Sequence, residues 1–194
     1  MILCLVRSFL PLTGISQIGH NKDFCYTKRG FSTPEEMDTA ILLRCNELVR
    51  PDDELWILGD LAMSGRCDEW NRVFYNLNCQ HVHFLQGNHD SENKIDLYEN
   101  DYGMIYHGYA DIFKFTKKKF FYLSHYPTIV SNFDDDKKAP LINLFGHTHQ
   151  KTVFYSNNPY MYNVGVDAHD CYPVSIEQII KDIKKREGEL KLEK

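Results

Sequence analysis

Four times along this chain a short apolar run gives way to a glycine or serine, and a side chain able to bind a metal follows at once. Leu55-Trp56-Ile57-Leu58 leads into Gly59-Asp60, and Val82-His83-Phe84-Leu85 leads, after Gln86, into Gly87-Asn88-His89-Asp90. Phe120-Phe121-Tyr122-Leu123 leads into Ser124-His125, and Leu141-Ile142-Asn143-Leu144-Phe145 into Gly146-His147-Thr148-His149. Short continuous runs of this kind are the pattern of strands buried on both faces, which need a covering layer on each side. In layered α/β folds ligands bind in the crevice beyond the carboxyl ends of the strands, where a glycine permits a sharp turn and close backbone approach. The repeated pattern therefore directs Asp60, Asn88, His125, His147 and His149 toward one cleft. A single Gly-Asp or Ser-His pair would mean little; four in order, each behind a buried run, mean a great deal.

The intervening segments supply helices and further strands. Thr33 is placed to cap a helix, with Pro34 at its first position and Glu36 closing a capping box. Met37, Ile41 and Leu48 recur at helical spacing until Arg50-Pro51-Asp52-Asp53 stops them. A second helix is expected from about Asp68 to Asn76. The stretch from Met104 to Leu123 reads as two strands joined at Lys117-Lys118-Lys119, and Val153–Tyr155 and Met161–Val164 read as later strands. Ser175-Ile176-Glu177-Gln178 opens a last helix through about Arg186, and Glu187 onward reads as a solvated charged tail. Helices and strands alternate early and strands crowd the second half, so the expected fold is a layered α/β domain with a mixed sheet or two packed sheets.

A length of 194 residues suits one domain with a sizeable core. The net charge of -5 argues against a dedicated binder of nucleic-acid backbone. Six scattered cysteines, with no C-x-x-C pair, resemble neither a disulfide framework nor a thiolate zinc site, so free thiols in a reducing cytoplasm are expected. The opening Met1–Val6 run is too short to span a bilayer and Arg7 interrupts it, so neither a membrane anchor nor a signal peptide is expected.

Oxygen and imidazole donors without thiolate suit divalent manganese, iron or zinc. An Asp carboxylate can bridge two ions. His147 and His149, two residues apart, can each point at a different member of a pair about 3.5–4 Å apart, the spacing of two-metal hydrolases.

Leu-Gly-Asp60, Gly-Asn88-His89-Asp90, Ser-His125-Tyr-Pro127 and Gly-His147-Thr-His149 together resemble the motifs of the calcineurin-like metallophosphoesterases, of the small bacterial or phage type. Phe31–Met37, Asn163–Asp167 and Pro173–Ser175 are also similar, and the resemblance spans roughly residues 19 to 180. It implies a four-layer α-β-β-α sandwich of two packed mixed sheets flanked by helices, with a dinuclear centre. It implies that Asp60 bridges the ions, that Asn88, His125 and His147 complete one site, and that His149 belongs to the other. His89 would protonate the leaving oxygen, with Asn88, His89 and His20 on the substrate side. Asp90 would orient a neighbouring imidazole or be a solvated loop carboxylate.

One motif departs from this pattern. The family's first motif is Asp-x-His after the first strand, yet here Arg7-Ser8-Phe9-Leu10-Pro11 follows the opening run and no carboxylate precedes Asp23. Counting back from Gly19-His20-Asn21, which resembles what normally follows that motif, puts Ile15 and Gln17 in the ligand positions. Either the second ion is lost or weakly held, or residues 1–18 do not represent the ancestral reading frame. In both cases half of the site is short of ligands.

The reading that results is a metal-dependent phosphoesterase, cleaving a phosphate mono- or diester and slowed by the missing motif. Its first rival is a non-catalytic metal- or partner-binding relic of the same fold. The second is a nuclease, for which Lys114–Tyr122 mixes basic and aromatic residues as single-strand binders do, although a hairpin with solvated lysines explains that segment better. His81, His83 and His107 read as structural, His169 as a loop residue, Trp56 as core, and Asp134-Asp135-Asp136 as a solvated loop with a weak case for a lid.

Overall fold

The computed structural model of the chain describes residues 11–13, 17–63, 67–116, 119–130 and 141–192. β1 (Pro11–Thr13), β2 (Glu54–Leu58), β3 (His81–Leu85) and β4 (Ile105–Tyr106) run parallel, with β2 and β3 in register from Glu54 opposite His81 to Leu58 opposite Leu85. β5 (Ala110–Thr116) and β6 (Lys119–Ser124) form an antiparallel hairpin, and β7 (Ile142–Phe145) and β8 (Met161–Asn163) extend it in parallel. β9 (Val174–Ser175) returns to lie antiparallel on β1. The result is a five-stranded sheet in the order β4-β3-β2-β1-β9 and a four-stranded sheet in the order β5-β6-β7-β8.

The continuous apolar runs follow from where these strands sit. Side chains alternate across a strand. In β2, Leu55 and Ile57 face helices, whereas Trp56 and Leu58 face the second sheet. The helices on the first face are α2 (Pro34–Leu48), α3 (Cys67–Phe74) and α4 (Glu92–Asn100), preceded by the single turn α1 (Asp23–Tyr26). They contribute Met37, Ile41, Trp70, Val73, Ile95 and Tyr98 to that core. Between the sheets, Trp56, Leu58 and Leu85 join Phe121, Leu123, Ile142, Leu144 and Tyr162, together with Ile176, Ile179 and Ile183 of α5 (Ile176–Leu192). Two mixed sheets flanked by helices make the α/β sandwich.

The helix starts behave as their sequences imply. Thr33 Oγ1 accepts from Glu36 N–H at 3.2 Å, while the Glu36 carboxylate reaches one residue past the cap to Ser32 N–H at 2.8 Å. Ser175 Oγ accepts from Gln178 N–H at 3.1 Å.

Several expectations are corrected. Leu48 is 40% exposed, and Asp38 and Cys45 take inward places on α2 instead. Ile105–Tyr106 does not belong to the hairpin but pairs with β3, and Gly108, in the left-handed region at φ 78°, turns the chain toward β5. Val153–Tyr155 is not a strand: Phe154 makes one bridge to Tyr162, and Tyr155–Asn157 is a 3-10 turn in which Ser156 and Asn157 have positive φ. The segment from Glu187 is not a loose tail, because α5 continues to Leu192, held by Tyr160 Oη donating to Glu187 Oε1 at 3.0 Å and by an Arg186–Glu189 ion pair at 3.2 Å. β1, α1 and β9 are short elements without a pattern of their own in the sequence.

His81 and His83 lie on β3, and His83 stacks on Trp56 at 4.7 Å and hydrogen-bonds to His107 at 2.9 Å. Cys25, Cys45, Cys79 and Cys171 are free, buried thiols. Among the described residues no helix is long and apolar enough to cross a membrane. The Met1–Val6 run, Ile15, Lys117-Lys118 and Asp134–Asp136 lie outside the described residues.

Candidate metal centre

The ends of β2, β3, β6 and β7 meet at one rim, and His125 is the hub of what they carry. A carbonyl can only accept a hydrogen bond, so the 2.8 Å contact from His125 Nδ1 to the Leu58 carbonyl places a proton on Nδ1, and in the neutral imidazole Nε2 then carries the lone pair. That Nε2 faces Asn88 Oδ1 at 3.0 Å, His147 Nδ1 at 3.1 Å and Asp60 Oδ2 at 3.4 Å. The ligand atoms of Asp60, His125 and His147 all lie within 4.8 Å of one another. Lone-pair atoms so arranged repel unless a proton or a cation lies among them. One carboxylate, one amide oxygen and two imidazoles suit a divalent first-row ion, so the residues present fit a single cation. Burial, and next the neighbouring His125, hold the His147 imidazole below its ordinary pKa, which keeps it in the neutral, ligating form.

Two glycines make room for this. Gly59 and Gly87 lie against each other: a Cβ on Gly59 would come within 2.6 Å of His125 Nδ1, and one on Gly87 within 2.2 Å of Asp60 Oδ1. Asp90 then clamps the two strand ends together. It is buried, and its Oδ2 accepts from Asp60 N–H at 2.6 Å and from Gly87 N–H at 2.9 Å, while Oδ1 accepts from Leu61 N–H at 3.3 Å. It is therefore neither a solvated loop carboxylate nor an orienter of an imidazole. Burial pushes its carboxyl above the ordinary pKa despite those donors. Lys94 adds a second tie, donating to the carbonyls of Ala62 and His89 at 2.7 and 2.8 Å. Asp60 Oδ1 accepts from His89 N–H at 2.8 Å, leaving Oδ2 toward His125.

His149 does not join this group. Its Nδ1 lies 3.1 Å from Asp167 Oδ2 and its Nε2 lies 3.1 Å from Gln17 Nε2. Arg29 grips Asp167 bidentately, Nε to Oδ1 at 2.8 Å and Nη2 to Oδ2 at 2.7 Å, with its side chain only 2% exposed. Burial alone would raise the Asp167 pKa, but Arg29 and then His149 override it and hold the carboxylate well below its usual range. His20 is buried near Arg29, His149 and His89, its Nδ1 accepting from Lys22 N–H at 3.2 Å; burial, and next Arg29, lower its pKa. His89 stands exposed at the rim. His169 is structural, with Nε2 on the Asn163 carbonyl at 2.8 Å.

Gln17, Asp60, His147 and His149 all adopt left-handed backbone, at φ 47°, 54°, 62° and 48°. Such conformations are uncommon outside glycine and cluster at functional sites. Arg29 and the role of Asp90 were invisible in sequence: a lone Arg in a Lys-Arg-Gly turn carries no signal, and nothing local shows that the carboxylate of Asp90 turns back onto the backbone of two strand ends.

Comparisons with known proteins place the fold. The chain matches no family model. An uncharacterised protein of Methanocaldococcus jannaschii, MJ1445, is 28% identical over 177 residues, covering 88% of this chain and 88% of its own length. The crystal structure of AQ665 from Aquifex aeolicus, a protein of unknown function, superposes with a TM-score of 0.64 at 21% identity, over 89% of this chain and 98% of that one. The two share a fold. YfcE, a phosphoesterase from Escherichia coli, gives a TM-score of 0.42 at 14% identity over 81% of this chain and 78% of its own, a likeness too loose to carry an argument.

Proposed function

We propose that this chain is a metal-dependent phosphoesterase that hydrolyses a phosphate mono- or diester. The observation that carries the reading is the convergence of Asp60, Asn88 and His147 on the lone pair of His125, at strand ends whose motifs resemble those of the metallophosphoesterases. These four residues would hold a divalent manganese, iron or zinc ion, which when bound supplies Lewis acidity to a phosphoryl oxygen and to water. The protein's own residues do the rest. The Leu58 carbonyl fixes His125 in one tautomer, and His89 N–H fixes Asp60, so neither needs to reorganise as charge builds. His89, exposed at the rim, donates the proton to the departing oxygen; exposed Asn88 and buried His20, which lies near His89, are the residues we assign to the substrate side.

A metal-binding module without turnover is the second reading, favoured by Gln17 standing in the cleft beside His149 where the family's first motif supplies a ligand. Manganese titration followed by assay on aryl phosphate mono- and diesters separates the two. Asp60→Ala and His147→Ala are expected to abolish ion binding, whereas His89→Ala keeps the ion and loses about 10²–10⁴ in turnover. Ion binding unchanged in Asp60→Ala and His147→Ala would remove the metal centre. Ion binding without hydrolysis would leave the module, and salt-dependent capture and cleavage of single-stranded DNA would make the chain a nuclease.

A further inference from the structure

The position of a second ion is closed by the protein itself. His149 is the ligand that the resemblance assigns to that ion, and an imidazole binds a cation only through a nitrogen that carries a lone pair. Asp167, bound bidentately by Arg29, offers only acceptor oxygens, so the 3.1 Å contact with Asp167 Oδ2 puts the ring proton on Nδ1 of His149. In the neutral ring the lone pair is then on Nε2. There it meets Gln17 Nε2 at 3.1 Å, an amide nitrogen that can only donate. The other end of the same amide is satisfied in the same orientation, since Cys25 Sγ lies 3.7 Å from Gln17 Oε1 as its donor. Turning the amide over would set its oxygen against the His149 lone pair and its NH₂ against the thiol.

Gln17 is not there by chance of a loose loop. It is 2% exposed, its backbone is in the left-handed region, and it is pinned by donating N–H to the Asp60 carbonyl at 3.0 Å and accepting from His20 N–H at 3.1 Å. Ile18 and Ala62 continue the pairing of β1 with β2 as a parallel bridge, which brings Gln17 alongside the Asp60 loop. Arg29 Nη2 also lies 3.5 Å from His149 Nδ1, a longer contact than the 3.1 Å to Asp167 Oδ2. With the ring proton given to Asp167, the hydrogen bonds from Arg29 through Asp167 and His149 to Gln17 are consistent and both His149 ring nitrogens are engaged by protein.

We infer that this chain holds one divalent cation per molecule, because the Gln17 amide occupies the only ring nitrogen that His149 could offer to a second. The inference rests on the metal centre of the proposed function, at Asp60, Asn88, His125 and His147. Calorimetric titration with Mn²⁺, an elemental count of the dialysed protein and electron paramagnetic resonance of the manganese-loaded chain test it without reference to activity. The expected result is one equivalent with the spectrum of an isolated Mn²⁺, lost in His147→Ala and retained at wild-type affinity in His149→Ala. Gln17→Glu, which keeps the shape but turns the donor into a carboxylate facing His149, is expected to gain a second, weaker equivalent; thermal melting establishes that each variant is folded. Two equivalents in the wild type with an exchange-coupled spectrum, falling to one in His149→Ala, would overturn the inference and leave the proposed function standing. No binding at all, or binding indifferent to His147→Ala, would overturn the metal centre instead.

Discussion

Gly87→Ala tests the architecture of the site at its tightest point. Gly87 does not need unusual φ; it needs space, because the missing Cβ would lie 2.2 Å from Asp60 Oδ1, 2.5 Å from Asp60 N and 2.8 Å from Asp60 Cγ. The shortest of these falls about 1 Å short of the 3.4 Å at which ordinary contact begins. Asp60 cannot escape by rotating its side chain, since its own backbone nitrogen is among the atoms struck and is held by Asp90 Oδ2 at 2.6 Å. Gly59 packs directly against Gly87, so the ends of β2 and β3 must part. Overpacking of this kind costs about 1–3 kcal/mol, a fall of roughly 2–12 °C in melting temperature for a chain of this size. Moving Asp60 by about 1 Å also spoils its approach to the cation, and disturbing the supports of a ligand lowers metal affinity by about 10–100-fold. Thermal melting followed by Mn²⁺ titration of the folded variant reads both effects. A variant that melts with the wild type and binds Mn²⁺ within a factor of about two of it would refute the reasoning.

Three further outcomes are expected. Burial raises the Asp38 carboxyl from 3.8 to about 6, so its contribution to stability is fully present below pH 3.8 and is lost as the pH rises through 6, a fall of roughly 3 kcal/mol; urea unfolding at pH 4, 5 and 7 should show this slope in the wild type and not in Asp38→Asn. Asp90→Asn replaces an acceptor of backbone N–H groups with a donor on one side, at a cost of about 2–3 kcal/mol in urea unfolding, and an unchanged midpoint would mean that Asp90 is not the clamp described. Gly188→Ala, with nothing near its absent Cβ and helix on both sides, should stabilise the chain by about 0.5–1 kcal/mol; no gain would mean that α5 ends earlier.

What the sequence by itself determined were the strands at the heart of both sheets and the residues at their ends. A strand buried on both faces is written as an unbroken apolar run, and a side chain one to three residues past its end lies at the rim, so Asp60, Asn88, His125 and His147 were legible from local pattern. Only the tertiary structure decided what lies beyond local pattern. Hydrogen-bond partners distant in sequence leave no periodicity, and Arg29 meets Asp167 across 138 positions, Gln17 meets His149 across 132 and Asp90 meets Asp60 across 30. For the same reason Asp90, which reads as an orienter of an imidazole or a solvated carboxylate, is a clamp, and His149, which reads like a ligand, has both ring nitrogens engaged by protein. Residue types name the chemistry a position can perform, but which lone pair remains open to a cation depends on the neighbours that folding brings against it.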